Sequence, residues 1–232
     1  MLATVINALA IVVGSLIGIF LRKGLSKRFE TAIFTAAGVT TLVIGIQMAL
    51  KTKHILAFAL ALIVGGLAGT ALKIEDAVLS FGERLKNRFA HGEASGNFAI
   101  GFLNASVLYC SGAMAIIGSF KAGTEGDYNI LFTKSILDGT ISILYASAMG
   151  FGVAFAAVSV LLYQGLLTLL SIWLKPFVTP LMLAELTGIG GAFVLMIGLN
   201  LLDIKKLKTG DFLPALFFTI VFVLAMPYVT FL

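Results

Sequence analysis

Charge is scarce in this chain. Asp, Glu, Lys and Arg make up 12% of its 232 residues, about half of what a soluble domain carries, and that argues against a water-soluble globular fold. Cysteine occurs once, at Cys110, which rules out an intrachain disulfide and any metal site built from several thiolates. The histidines, His54 and His91, stand outside the apolar runs, so no imidazole is available inside them as a base or a transition-metal ligand. The patterns GxxxxGKS/T, GxSxG and HExxH are missing, and with them the signatures of a P-loop ATPase, an α/β-hydrolase and a zinc protease. These absences read as a chain that is not an enzyme and needs no cofactor. The net charge is +5, but the basic residues cluster at the ends of apolar runs, where they set topology. Nucleic acid is therefore not an expected partner.

What is abundant is apolar length. Hydrophobic residues are 59% of the chain, and its mean hydropathy is +1.08. They fall into stretches of about 20 residues, the length a helix needs to cross a bilayer. Eight spans are predicted: Leu2–Leu21, Thr31–Leu50, Ile55–Leu72, Phe98–Phe120, Ile130–Met149, Val153–Leu174, Pro180–Leu202 and Phe212–Thr230. The expected fold is an all-α, polytopic integral membrane protein, one transmembrane domain over residues 1–232 with the lipid bilayer as its partner. No basic stretch precedes Leu2, so the first run reads as a retained span and not as a cleaved signal peptide. Between spans three and four, Lys73–Gly96 sets Ile74, Ala77, Val78, Phe81, Leu85 and Phe89 at helical spacing, with Glu75, Glu83, Arg84, Lys86 and Arg88 on other faces. That is the pattern of an amphipathic helix on the cytoplasmic membrane surface. Loops after spans one, three, five and seven hold eleven Lys and Arg, and the opposite loops five. The excess places both termini outside the cytoplasm, with Trp173, Tyr128 and Tyr228 near the outer interface.

A shift of 153 positions lays Gly38–Leu50 over Gly191–Asp203, matching Gly38 with Gly191, Gly45 with Gly198 and Gln47 with Asn200. Span two would then be related to span seven, which crosses in the opposite direction. Inverted repeats of this kind frame the midplane sites of many secondary transporters. The chain also carries polar groups suited to such a site. Asp138 lies about 12 Å into span five, and Lys134 precedes it by one helical turn, the spacing of an ion pair. Glu185 enters span seven from the same side, followed by Gly188, Gly190 and Gly191. Two converging carboxylates suit a hard cation such as Na⁺, or a proton. The amides Asn7, Gln47, Asn104, Gln164 and Asn200 can line a path or tie helices together. Gly14 with Gly18, and Gly65 with Gly69, form GxxxG pairs for helix packing, within one chain or in a homo-oligomer.

The segments VINALAIVVGSLIG, KIEDAVLSFGERLK, YCSGAMAIIGS, TKSILDG, YQGLLTLL and AELTGIGGAFVLMIGLNLL, in this order, resemble the YqgA/YdfK-like family of prokaryotic membrane proteins, whose function is not established. The resemblance covers essentially the whole chain. It implies an inner-membrane protein of this length, in a family suggested to move sodium and linked to biofilm formation. It supplies no catalytic residue. Where the family usually carries proline this chain has Ala113, which predicts a straighter span four. The sequence as a whole reads as a transporter of a small solute or monovalent cation, coupled to Na⁺ or H⁺. A channel, or a membrane scaffold acting through its surface helix, is the alternative.

Overall fold

The computed structural model describes residues 1–22, 26–89, 98–174 and 178–226. Among the described residues there is no strand. Ten α-helices follow one another: α1 Leu2–Arg22, α2 Lys27–Ala49, α3 Ile55–Leu72, α4 Ile74–Phe89, α5 Phe98–Cys110, α6 Ala113–Thr124, α7 Asn129–Met149, α8 Gly152–Leu174, α9 Pro180–Leu201 and α10 Pro214–Ala225. A 3₁₀ turn at Thr209–Phe212 leads into α10. By length and apolarity α1, α2, α3, α8 and α9 can each cross a bilayer, and the bent pair α5 and α6 adds a sixth if the two make one span. The predicted count of eight is not reached on this measure. The 21-residue α7 carries Lys134 and Asp138, and α10 is short among the described residues. Large apolar side chains point outward on these helices, Leu67 at 69% exposure and Ile136 at 71%, a surface that hydrocarbon solvates and water does not.

Local chemistry sets the helix ends. Thr179 caps α9 by accepting a bond from the Met182 N–H at 3.1 Å, with Pro180 in the first helical position, the arrangement in which a missing N–H costs nothing. Asp127 accepts from the Asn129 N–H at 3.0 Å at the start of α7. The α7–α8 turn is as tight as the Gly150-Phe151-Gly152 sequence predicts. Gly150 takes φ 82°, and a Cβ on Gly152 would lie 1.9 Å from the Phe98 carbonyl oxygen. Span four is not straight. Phe98–Cys110 and Met114–Thr124 diverge by 60°. Proline is therefore not needed for the break, which falls at Ser111-Gly112, where Ser111 packs its backbone and Cβ onto Gly190.

The chain forms two compact units. Unit 1 is Met1–Ala37, Leu79–Cys110 and Met114–Phe177; unit 2 is Gly38–Val78, Ser111–Ala113 and Val178–Leu232. In unit 1, α1 runs parallel to α7 at very close range: Cβ atoms on Gly14 and Gly18 would lie 2.1 and 2.2 Å from the carbonyl oxygens of Gly139 and Ile143. Beside them, α5 runs parallel to α8, with Ser106 and Ser159 hydrogen-bonded at 2.9 Å. Small residues let such backbones approach, so the Gly14/Gly18 face is already occupied within the chain. In unit 2 the Gly65/Gly69 face of α3 is likewise filled, by Ala215 and by the Asp211 backbone.

The two segments matched by the shift of 153 pack against each other. In unit 2, Gly38 of α2 faces Leu202, Gly45 faces Leu195, Leu42 faces Gly198 and Ala49 faces Gly191 of α9. The two helices are antiparallel, and the shift of 153 that matches Gly45 with Gly198 also matches Leu195 with Leu42. Each contact therefore has a twofold mate. In the same unit α3 runs antiparallel to α10 and the 3₁₀ turn before it, with Gly65 at Ala215 and Gly69 at Asp211. In unit 1, α1 pairs with α8, Asn7 reaching Gln164 and Met1 reaching Gly165. The first three helices thus pair with the last three in matching order.

The helix expected in Lys73–Gly96 begins at Ile74 and is described to Phe89. Gly82 packs on Ala99, and Phe81, though 53% exposed, has its ring 6.2 Å from that of Phe102. Lys23, the rest of the predicted segment with His91, Lys175, and the end of the eighth span with Tyr228 lie outside the described residues.

Candidate functional site

A polar cluster sits in the core of unit 1. On α7, Lys134 and Asp138 share one face at one-turn spacing and form an ion pair through Lys134 Nζ and Asp138 Oδ2. Each is 5% exposed. From α1, the Asn7 amide nitrogen donates to the same Asp138 oxygen at 3.0 Å and to Gln164 Oε1 of α8 at 3.3 Å. Asn7 and Gln164 are both fully buried. Tyr109 of α5 closes one side. Its ring lies 5.9 Å from Lys134 Nζ, and its hydroxyl bonds Ser142 at 2.7 Å, which donates to the Asp138 carbonyl. Burying a charge is expensive unless it is paired and hydrogen-bonded, and both conditions hold here. The net charge of the pair is zero.

The buried carboxylates of unit 2 are engaged differently. Glu185, 1% exposed, accepts from the backbone N–H groups of Lys53 at 2.6 Å and His54 at 3.0 Å, and from the Thr52 hydroxyl. These groups form the start of α3, whose N-cap residue His54 makes no side-chain cap of its own. Glu185 therefore caps a neighbouring helix, where unsatisfied N–H groups and the helix dipole favour an anion. Its own helix α9 is capped independently by Thr179. A second such exchange joins α4 to the turn before α10. Asp211 accepts from the Glu75 N–H at 2.9 Å, and Glu75 accepts from the Gly210 N–H at 2.8 Å. Lys208 pairs with Asp76 beside them at 3.0 Å. Burial, the largest effect, holds the Glu75 carboxyl above its ordinary value; Asp211 pushes the same way and the Gly210 N–H pulls it back.

The structure thus brings Asn7, Lys134 and Asp138 together, and adds Gln164. Glu185 belongs to unit 2 and has its own partners. Asn200 braces the loop after α9, donating to the Leu207 carbonyl at 2.9 Å and accepting from its N–H at 2.7 Å. Asn104 reaches the Met149 sulfur, at 3.6 Å, and Gln47 is exposed on α2. Among the described residues no three His, Cys, Asp or Glu side chains gather as a metal-binding group. Glu75 and Asp211 carry a local signal that the spans obscure: Glu75 is the second residue of α4 and Asp211 stands three residues before α10, so each is an acid at a helix start, the place a cap is needed.

The whole-chain comparison agrees with this membrane architecture. Residues 2–224 match the family described as "Protein of unknown function (DUF554)". The chain belongs to that family. It is 34% identical over 220 residues to the uncharacterized membrane protein YdfK of Bacillus subtilis (strain 168), covering 93% of each chain. It is 30% identical over 225 residues to the uncharacterized protein YqgA of Escherichia coli (strain K12), covering 96% of this chain and 93% of that one. No solved structure matches. The family and the apolar helices together make this DUF554 member a helical membrane protein.

Proposed function

We propose that the protein is a transporter, moving a small solute or ion across a prokaryotic cytoplasmic membrane without cofactor or bond chemistry. The observation that supports this most is the antiparallel pairing of its first three helices with its last three. Repeats of opposite membrane direction can rock against each other and open a buried site to alternate sides. The reading puts the cargo at Asp138 with Lys134, Asn7 and Gln164, since intramembrane charges mark ion and solute routes. Glu185 stays with the helix start it caps. A Na⁺ or H⁺ gradient supplies the drive, and both termini face away from the cytoplasm.

Purified protein in liposomes, with imposed Na⁺ or H⁺ gradients, tests this. Saturable, gradient-driven uptake is expected, lost in Asp138→Asn and retained in Glu185→Gln. Steady single-channel currents in a planar bilayer would support a channel instead. No flux, together with a stoichiometric co-purifying partner, would support a scaffold acting through α4.

A further inference from the structure

Two buried amides in unit 1 are each half used. Asn7 Oδ1 and Gln164 Nε2 have no hydrogen-bond partner among the described residues, although both residues are fully buried. Neither orientation is arbitrary. Asp138 can only accept here, so the Asn7 nitrogen must face it; that nitrogen also donates to Gln164, so the Gln164 oxygen must face Asn7. Each unused atom shares a carbon with an atom of the 3.3 Å contact. One free acceptor and one free donor therefore lie within reach of a single small molecule. Thr4 Oγ1, three residues before Asn7 and fully buried on the same helix, is unpaired too.

The charged groups sort in the same way. Asp138 and Asn7 Oδ1 make an accepting half; Lys134 and Gln164 Nε2 make a donating half. We infer that this cluster binds a compact zwitterion of the α-amino acid class, its ammonium on Asp138 and Asn7 Oδ1 and its carboxylate on Lys134 and Gln164 Nε2. A lone cation or anion would leave one unbalanced charge in the low-dielectric core, and a neutral solute would part the ion pair without replacing it. A zwitterion exchanges one internal ion pair for two, keeps the net charge at zero and satisfies both unused amide atoms. The inference rests on the transport reading for its purpose and names the class of cargo.

Binding is measured first, apart from flux. Detergent-purified protein is titrated with glycine, L-alanine and L-serine, and with acetate, methylamine, glycine methyl ester and glycine betaine, by thermal shift and calorimetry. The free amino acids are expected to stabilise the protein, because a ligand of the native state must. The half-ligands and the ester lack one charge, and betaine lacks N–H donors; all four are expected to bind at least tenfold more weakly. Gln164→Leu, which leaves the Asn7–Asp138 bond in place, is expected to weaken amino acid binding about tenfold, the scale of one hydrogen bond to a charged group, while Gln47→Ala leaves it unchanged. Stabilisation by Na⁺, K⁺ or Li⁺ with none by amino acids overturns the inference, as does the absence of any ligand-dependent shift. Binding without uptake in liposomes leaves the site standing and removes the transport reading. Amino acid uptake that is unchanged in Gln164→Leu does the reverse.

Discussion

The two units bury carboxylates by opposite means. In unit 2, Glu185 and Asp211 accept bonds from backbone N–H groups at helix starts, which stay in place as long as the helices do. In unit 1, Asp138 is held by side chains from two helices, Lys134 of α7 and Asn7 of α1. Side chains have rotamers and can exchange partners; capped backbone cannot. The difference separates an acid held by backbone at a helix start from an acid held by side chains, and residue type alone would not have made that distinction.

Breaking the unit 1 pair should have the largest effect. Lys134→Ala leaves a buried carboxylate without its cation and should cost about 3–5 kcal/mol, whereas Lys134→Met with Asp138→Leu should recover most of that while abolishing function. Denaturant unfolding in detergent measures both. If the single variant is as stable as the double, Asp138 is not held as described.

Next comes the close packing of each unit. Gly14→Val in unit 1 and Gly191→Val in unit 2 each drive a side chain into backbone, at Gly139 and at Ala49. Each should cost about 1–3 kcal/mol or more. A unit that tolerates its substitution is the more pliable of the two, which thermal unfolding would show.

Glu185→Gln sharpens the contrast at smaller cost. The amide oxygen still accepts from α3, so the loss should be about 1–2 kcal/mol, that of the charge at a helix start and of the better bonds. Flux and ligand binding should be unaffected. Loss of transport with unchanged stability would erase the distinction between the two carboxylates.

The smallest effect concerns pH. Glu75 is raised above its ordinary value of 4.5, chiefly by burial. A carboxyl raised in the fold holds its proton more tightly there than in the unfolded chain. Its contribution is therefore full below pH 4.5 and drains away as pH rises through the higher folded value. Glu75→Gln should flatten that part of the stability–pH curve and leave the rest, as unfolding midpoints across pH 4–8 would reveal.

The sequence by itself determined that the chain is helical and lives in a membrane. Apolar length and backbone hydrogen bonding leave no other choice in hydrocarbon, and helix boundaries such as Ile55–Leu72 follow directly from the apolar pattern. It also determined the Lys134–Asp138 spacing, since one helical turn brings those side chains together whatever surrounds them. The glycine pattern in α2 and α9 suggested a repeat relating the two, but that they pack on each other came only from the fold. The tertiary structure decided the rest. Whether Glu185 binds or caps depends on Thr52–His54, more than 130 positions earlier. Gln164 joined the site only through α8 packing on α1. The bend in span four falls at Ser111-Gly112, where Ser111 meets Gly190, without any proline. Partners distant in sequence are chosen by packing, and a one-dimensional pattern does not carry that information.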